Sequence, residues 1–206
     1  MTARAAPSML MTWLLLTAPG LAGHDTRSAG AAPADSAQSA SRPDTTAIPP
    51  ATGVVVLDTT QGLLVMRLFE ADAPLTCANF KKLVRSHYYD STYFFRVVRE
   101  FMIQGGDPNT RNTNVEDDGM GGPGYTIPAE IKRPNLRGSV ATARRATHAN
   151  PTRESSGSQF FIELSDQPRL DEEGYTVFGQ LIDGYATLDR IDEYRTLLED
   201  YSQRLL

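Results

Sequence analysis

Between Gly53 and Leu181 the sequence is cut by glycine, proline and polar turns into apolar runs of four to seven residues, too short to be helices that bury a face. The runs are Val54–Leu57, Leu63–Phe69, Tyr93–Val98, Phe101–Gln104, Ser139–Ala143, Ser158–Leu164 and Thr176–Leu181, and they favour β-branched and aromatic residues. Strands of this length and spacing predict an antiparallel sheet that closes on itself or stacks as a sandwich. The first two, joined across Asp58-Thr59-Thr60-Gln61-Gly62, form a hairpin. Helical spacing occurs twice. Leu75, Cys77, Phe80, Leu83 and Val84 follow Pro74, with Asp72 as the N-cap and an end near His87. Leu188, Ile191, Tyr194, Leu197 and Leu198 make the second pattern, over Ala186–Leu198. Cys77 falls within the first apolar stripe and reads as a small buried hydrophobe, not a reactive thiol.

Ahead of this region the composition differs. Arg4, then the apolar Met9–Leu16, then Ala18-Pro19-Gly20-Leu21-Ala22-Gly23, has the three-part layout of a secretory signal. The apolar run falls short of the roughly 20 residues needed to span a bilayer. No cysteine lies near the candidate cleavage site to carry a lipid. Residues 24–51 are mainly Ala, Ser, Thr, Asp and Pro, with Ile48 the one large aliphatic residue, and read as a flexible spacer. The expected organisation is therefore a signal peptide at 1–23, a spacer at 24–51, a folded domain at 52–195 and a helical tail at 196–206. The expected destination is the periplasm or the medium, with no stable membrane span after cleavage.

The chain has 206 residues with 20 Lys+Arg and 25 Asp+Glu, enough for one well-filled core. Arginines and aspartates balance before residue 51, so the formal charge of −5 belongs to residues 51–206, and nucleic acid is not an expected partner. One cysteine excludes an intramolecular disulfide or a multi-cysteine metal site, and the three histidines are too scattered for a cluster. Gly119-Met120-Gly121-Gly122-Pro123-Gly124 lacks the Lys-Ser/Thr of a phosphate loop and reads as a tight turn. Ser158 lacks a nucleophile elbow.

Strand alternation places Phe94, Arg96 and Val98 on one face, Met102 and Gln104 on one face of the next run, and Gln159 with Phe161 opposite Phe160, Ile162 and Leu164. An arginine among apolar neighbours needs a partner, either a carboxylate or a ligand. Amides beside an aromatic ring outline a binding groove with no nucleophile in it.

Phe94–Val98, Phe101-Met102-Ile103-Gln104-Gly105-Gly106-Asp107-Pro108, Gly121–Tyr125 with Glu130, Gly157–Ile162 and Tyr175–Gly179 resemble, in order, the signature blocks of the cyclophilin family of peptidyl-prolyl cis-trans isomerases, over about Gly53 to Ile191. The resemblance implies an all-β fold, a closed eight-stranded antiparallel barrel capped by two helices, and a shallow groove for a proline-containing peptide. It implies a catalytic role for Arg96, with Gln104 supporting it. Phe101, Met102, Phe161 and Leu170 correspond to the wall of the proline pocket. Gln159 corresponds to its polar side, Gly119, Ala141, Thr142 and Ala143 to the segments flanking the substrate backbone, and Tyr175 to the residue closing the pocket. No cofactor or metal is implied. The expected partners are proline-containing segments of unfolded or exported proteins, and the expected state is a monomer. The expected subclass is an exported, bacterial-type member that speeds X-Pro isomerisation during folding; the alternative is a proline-peptide binding or chaperone module with incidental isomerase activity. Phe95 stands where histidine is frequent, and Arg99-Glu100 where Pro-Gly is usual. Arg169 stands where many eukaryotic members carry a tryptophan associated with cyclosporin binding, which implies weak inhibition by that drug. The loop Asp171–Gly174 is a residue longer than usual.

Overall fold

The computed structural model describes residues 12–16, as backbone, and 53–193. The hairpin forms as the alternation predicts, from β2 (Val54–Thr59) and β3 (Gly62–Leu68), around β1 (Thr12–Leu16) and the later strands. Helix α1 (Pro74–Arg85) comes after it, then β4 (Arg96–Val98), β5 (Met102–Gly105) and two short 3-10 turns at Pro108–Arg111 and Val115–Asp117. Next come β6 (Thr126–Ile127), β7 (Ser139–Thr142), β8 (Ser155–Ser156), β9 (Phe160–Glu163), helix α2 (Pro168–Glu173), β10 (Val177–Asp183) and helix α3 (Tyr185–Asp192).

The main sheet is antiparallel in the order β1-β2-β3-β10-β7-β9-β5-β4, with β6 and β8 as a separate pair. Among the described residues no ladder joins its edge strands β1 and β4. Among the described residues the sheet is therefore curled and not closed into the expected eight-stranded barrel by a further ladder, and three helices stand where two were expected. β4 has three residues because the chain turns at Arg99-Glu100, where Glu100 takes the left-handed conformation (φ 58°) that the usual glycine adopts more easily. Helix α3 packs against β3, β4 and β5. Thr12–Leu16, read from sequence as part of a secretory signal, runs antiparallel along Val54–Asp58.

Apolar burial on the inner face explains the strand register. Val55 and Leu57 of β2 and Leu64, Met66 and Leu68 of β3 are fully buried, spaced by two. Against them α1 lays Cys77, Phe80, Leu83 and Val84 of the predicted stripe, while Leu75, in its first turn, is 54% exposed; Phe80 meets the rings of Tyr89, Phe160 and Phe178 at centroid distances of 5.3, 5.6 and 5.0 Å. Burial pushes the Cys77 thiol up to about 12, which confirms the inert reading.

The start of α1 differs from expectation. Ala73, not Asp72, holds the N-cap position, and Asp72 pairs with Arg133. The first-turn amides are satisfied by Glu130, whose Oε1 accepts from Leu75 N (3.1 Å) and Oε2 from Thr76 N (2.9 Å) and Thr76 Oγ1 (2.8 Å). A carboxylate at this end of a helix matches both the unpaired N–H groups and the dipole. The final helix ends at Asp192, so the rest of the Ala186–Leu198 pattern beyond 193 lies outside the described residues, as do the spacer and the tail.

Candidate active site

The registers of four ladders align one row of side chains across the outer face. Arg96 pairs with Gln104, Gln104 with Phe161, Phe161 with Ala141, and Ala141 with Val177. Residues directly opposite in antiparallel strands project to the same side, so this row brings together positions up to 81 residues apart in sequence. The adjacent row is Val98, Met102 and Glu163. Between the rows an apolar cluster forms from Phe69, Met102, Ala141, Phe161, Leu170 and Val177, with Val98, Phe101, Ala143 and Tyr175 packed against it. It is separate from the inner core. Its rim carries Tyr175, whose ring meets Phe161 edge-on at 5.6 Å and 82°. Arg144 stacks over Tyr175 at 4.3 Å and donates to the carbonyls of Glu173 (2.7 Å) and Gly174 (3.2 Å), which fixes the end of α2 to the rim.

A chain of polar groups borders this cluster. Arg96 Nη1 donates to Gln104 Oε1 (3.4 Å), and Gln104 Nε2 donates to Gln159 Oε1 (3.1 Å). Gln159 Nε2 donates to the carbonyls of Gly119 (2.9 Å) and Gly121 (2.8 Å). The same loop is held from below by Asp107, fully buried, whose carboxylate accepts from the amides of Asn109 (2.8 Å), Gly119 (2.5 Å) and Gly121 (3.0 Å). Only glycine fits at 121, where a Cβ would lie 2.1 Å from Asp107 Oδ1, and Gly119 has φ +87°. The glycine-rich stretch is thus a tethered wall of the groove.

Arg96 is half-buried, and no carboxylate lies within 4.0 Å of it among the described residues. Burial lowers its pKa, an effect opposed by nearby Tyr175. Arginine remains charged under such a shift. A cation held by a neutral amide, beside an apolar pocket, keeps its other N–H groups for a ligand. Burial also raises the Tyr175 phenol, with Arg144 acting in the opposite sense. No group of three or more His, Cys, Asp or Glu among the described residues is arranged to hold a metal ion.

Of the candidate residues read from sequence, Arg96, Gln104 and Gln159 form the polar chain with Gly119 at its end. Phe101, Met102, Ala141, Ala143, Phe161, Leu170 and Tyr175 meet in the apolar cluster. Thr142 does not join them through its side chain, because it pairs with Phe160 on the inner-facing row and its hydroxyl donates to Ser155 Oγ at 2.8 Å. Phe94 also departs from its predicted face: β4 begins only at Arg96, and Phe94 packs into the inner core. Phe69, Val177 and Asp107 are site residues that the sequence pattern does not mark. Val98 shares the predicted face of Arg96, whereas Phe69 and Val177 reach the cluster only through sheet order.

The sequence profile described as "Cyclophilin type peptidyl-prolyl cis-trans isomerase/CLD" matches residues 54–204. A peptidyl-prolyl cis-trans isomerase-like 1 of Gibberella zeae is 39% identical over 146 residues, covering 71% of this chain and 85% of its own length. A peptidyl-prolyl cis-trans isomerase of Synechococcus elongatus is 43% identical over 129 residues, covering 62% of this chain and 79% of its own. Among solved structures, a cyclophilin-type isomerase of Cryptosporidium parvum in the presence of the dipeptide Ala-Pro is 34% identical and superposes with a TM-score of 0.60. That match covers 68% of this chain and 85% of the other.

Proposed function

Because the chain belongs to the cyclophilin-type peptidyl-prolyl cis-trans isomerases, enzymes that interconvert X-Pro bonds, we propose that Arg96 is its catalytic residue and that its substrates are exported proteins in the course of folding. The observation that carries the first part is the guanidinium of Arg96, without a carboxylate partner among the described residues and held by Gln104 at the edge of the apolar cluster.

The X-Pro barrier of about 20 kcal/mol arises from amide resonance, so a catalyst has only to favour the twisted bond. The cluster of Met102, Phe161 and Leu170 takes the proline ring and fixes one side of the bond. Twisting localises the lone pair on the prolyl nitrogen, and an Arg96 N–H pointing at that nitrogen stabilises the twisted state more than the planar one. Gln104 accepts from Arg96 and donates to Gln159, so the guanidinium is oriented before substrate arrives. No covalent step is involved. An Ala-Pro dipeptide accompanies the Cryptosporidium parvum structure, which supports a proline-containing peptide as the occupant.

Export is supported by the Arg4, Met9–Leu16 and Ala18–Gly23 layout. Uncatalysed X-Pro steps take tens of seconds or more, long enough to delay folding after translocation. The test has two independent arms. The protein should accelerate the proline-limited refolding phase of an exported protein, and Arg96→Ala should abolish that acceleration; equal acceleration by both refutes the role of Arg96. N-terminal sequencing of the protein from its native host should show a start near His24 in the exported fraction. A cytosolic protein starting at Met1 refutes export and leaves the isomerase assignment intact.

A further inference from the structure

The outer face of β9 carries one group that the mechanism does not use. Glu163 lies two residues after Phe161 and is paired with Met102, so its side chain lies on the same side of the sheet as the two residues that line the proline pocket. It is fully buried. Neither side-chain oxygen makes a hydrogen bond to another residue's side chain or backbone among the described residues. A buried ionised carboxylate without partners is costly, and such a group stays neutral instead.

Among the described residues no cation pairs with it. β5 contributes no titratable side chain, with Met102, Ile103 and Gln104 in the ladder. From α2 the charged neighbour is Asp171, whose Oδ1 is already engaged by Asn135 N (2.7 Å) and Nδ2 (2.8 Å). From the segment before β7, Arg137 directs Nη1 to the Leu164 carbonyl (3.2 Å) and Nη2 to Asp189 (2.6 Å). Burial holds the Glu163 carboxyl well above the usual carboxylate range, Asp171 adds to this, and only its own backbone amide acts against it.

We propose that Glu163, as the neutral acid, is a positioning residue beside the proline pocket: uncharged, it lets Met102 and Phe161 close the pocket wall, and on losing its proton to solvent it pushes toward water through that wall and weakens proline-peptide binding. The proposal rests on the reading of the Arg96 groove as the X-Pro site. It assigns to the chain an alkaline limit on substrate binding that originates in a group the substrate never touches.

The test is the Kd of an Ala-Pro-containing peptide, by NMR titration, from about pH 6 to about pH 10 for the full chain and for Glu163→Gln. Beside it, KM and kcat are measured over the same range. In the wild type, affinity should fall about tenfold per pH unit once Glu163 ionises, with the loss in KM and not in kcat. Glu163→Gln, neutral and of the same shape, should bind as the wild type does at low pH and show no alkaline fall. Parallel wild-type and Glu163→Gln profiles overturn the proposal, as does a flat wild-type profile. If Glu163→Gln fails to fold, the infrared carbonyl band of a protonated carboxylic acid in the wild type decides. The band should vanish over the pH range in which peptide affinity falls; a band that vanishes in a different range, or none at neutral pH, is contradictory. Binding without turnover would defeat the isomerase reading while leaving this proposal to stand or fall on Kd.

Discussion

Replacing Gln159 by leucine cuts the polar chain of the groove at its centre. The side chain is 8% exposed and makes three hydrogen bonds, accepting from Gln104 and donating to the carbonyls of Gly119 and Gly121. A neutral bond of this kind contributes about 1 kcal/mol net, which puts the sum near 3 kcal/mol. The two glycines are partly solvent-exposed, so water can reach their carbonyls once Gln159 is gone and the loss shrinks toward about 2 kcal/mol. Leucine matches the volume closely enough that no large cavity adds to this. Asp107 still tethers the loop from the other side, so the fold persists. The effect on catalysis comes through Gln104, which loses its acceptor and with it the fixed orientation presented to Arg96. That is about one bond's worth, or roughly tenfold in kcat/KM. Urea unfolding monitored by far-UV circular dichroism measures the first quantity, and a peptide isomerisation assay the second. A Gln159→Leu protein with unchanged midpoint and unchanged kcat/KM would refute the idea that this amide chain organises the site.

Burial and position set three further expectations. Glu163 has a folded pKa above the unfolded value of 4.5, so the folded state holds its proton where the unfolded state releases it, and stability falls as pH rises through that window. Glu163→Gln lacks this linkage, so its stability gain over the wild type should be near zero at about pH 4 and grow by up to about 1.4 kcal/mol per pH unit above it; a pH-independent difference contradicts this. Cys77, 1% exposed with its thiol near 12, should resist alkylation in the native protein at neutral pH and react at once in urea; rapid native labelling would show that α1 opens. Arg169 side-chain exposure is 85%, and its guanidinium pairs with Glu173 at 2.9 Å instead of covering the groove, so cyclosporin should inhibit weakly; a nanomolar inhibition constant refutes that reading.

The parts of the fold that could be read from sequence are those governed by local periodicity. Alternation in Ser158–Leu164 separates Phe160, Ile162 and Leu164 from Gln159 and Phe161, and the structure keeps that separation. The same rule misplaces Phe94, because alternation holds only while the chain is extended and the strand starts two residues later. Glu163 is hidden from sequence for a related reason: a charged residue on an alternating strand reads as solvent-facing, yet here α2 and the pocket cover the outer face as well. The helix cap shows the limit of local reading, since Asp72 is the near candidate and Glu130, more than 50 residues on, is the group that serves. The groove itself is legible because Arg96, Gln104 and Gln159 each share a strand face with an apolar residue, Val98, Met102 and Phe161 respectively.

The central claim is that a partly buried Arg96, without a carboxylate partner among the described residues, lowers the X-Pro barrier without covalent chemistry. It is tested most directly by the cis-to-trans rate of a short Xaa-Pro peptide with the wild-type chain and with Arg96→Ala. Loss of a charged donor aimed at the reacting amide predicts a fall of about 10²–10³-fold in kcat/KM with unchanged unfolding midpoint. A variant that folds normally and turns over at the wild-type rate would contradict it.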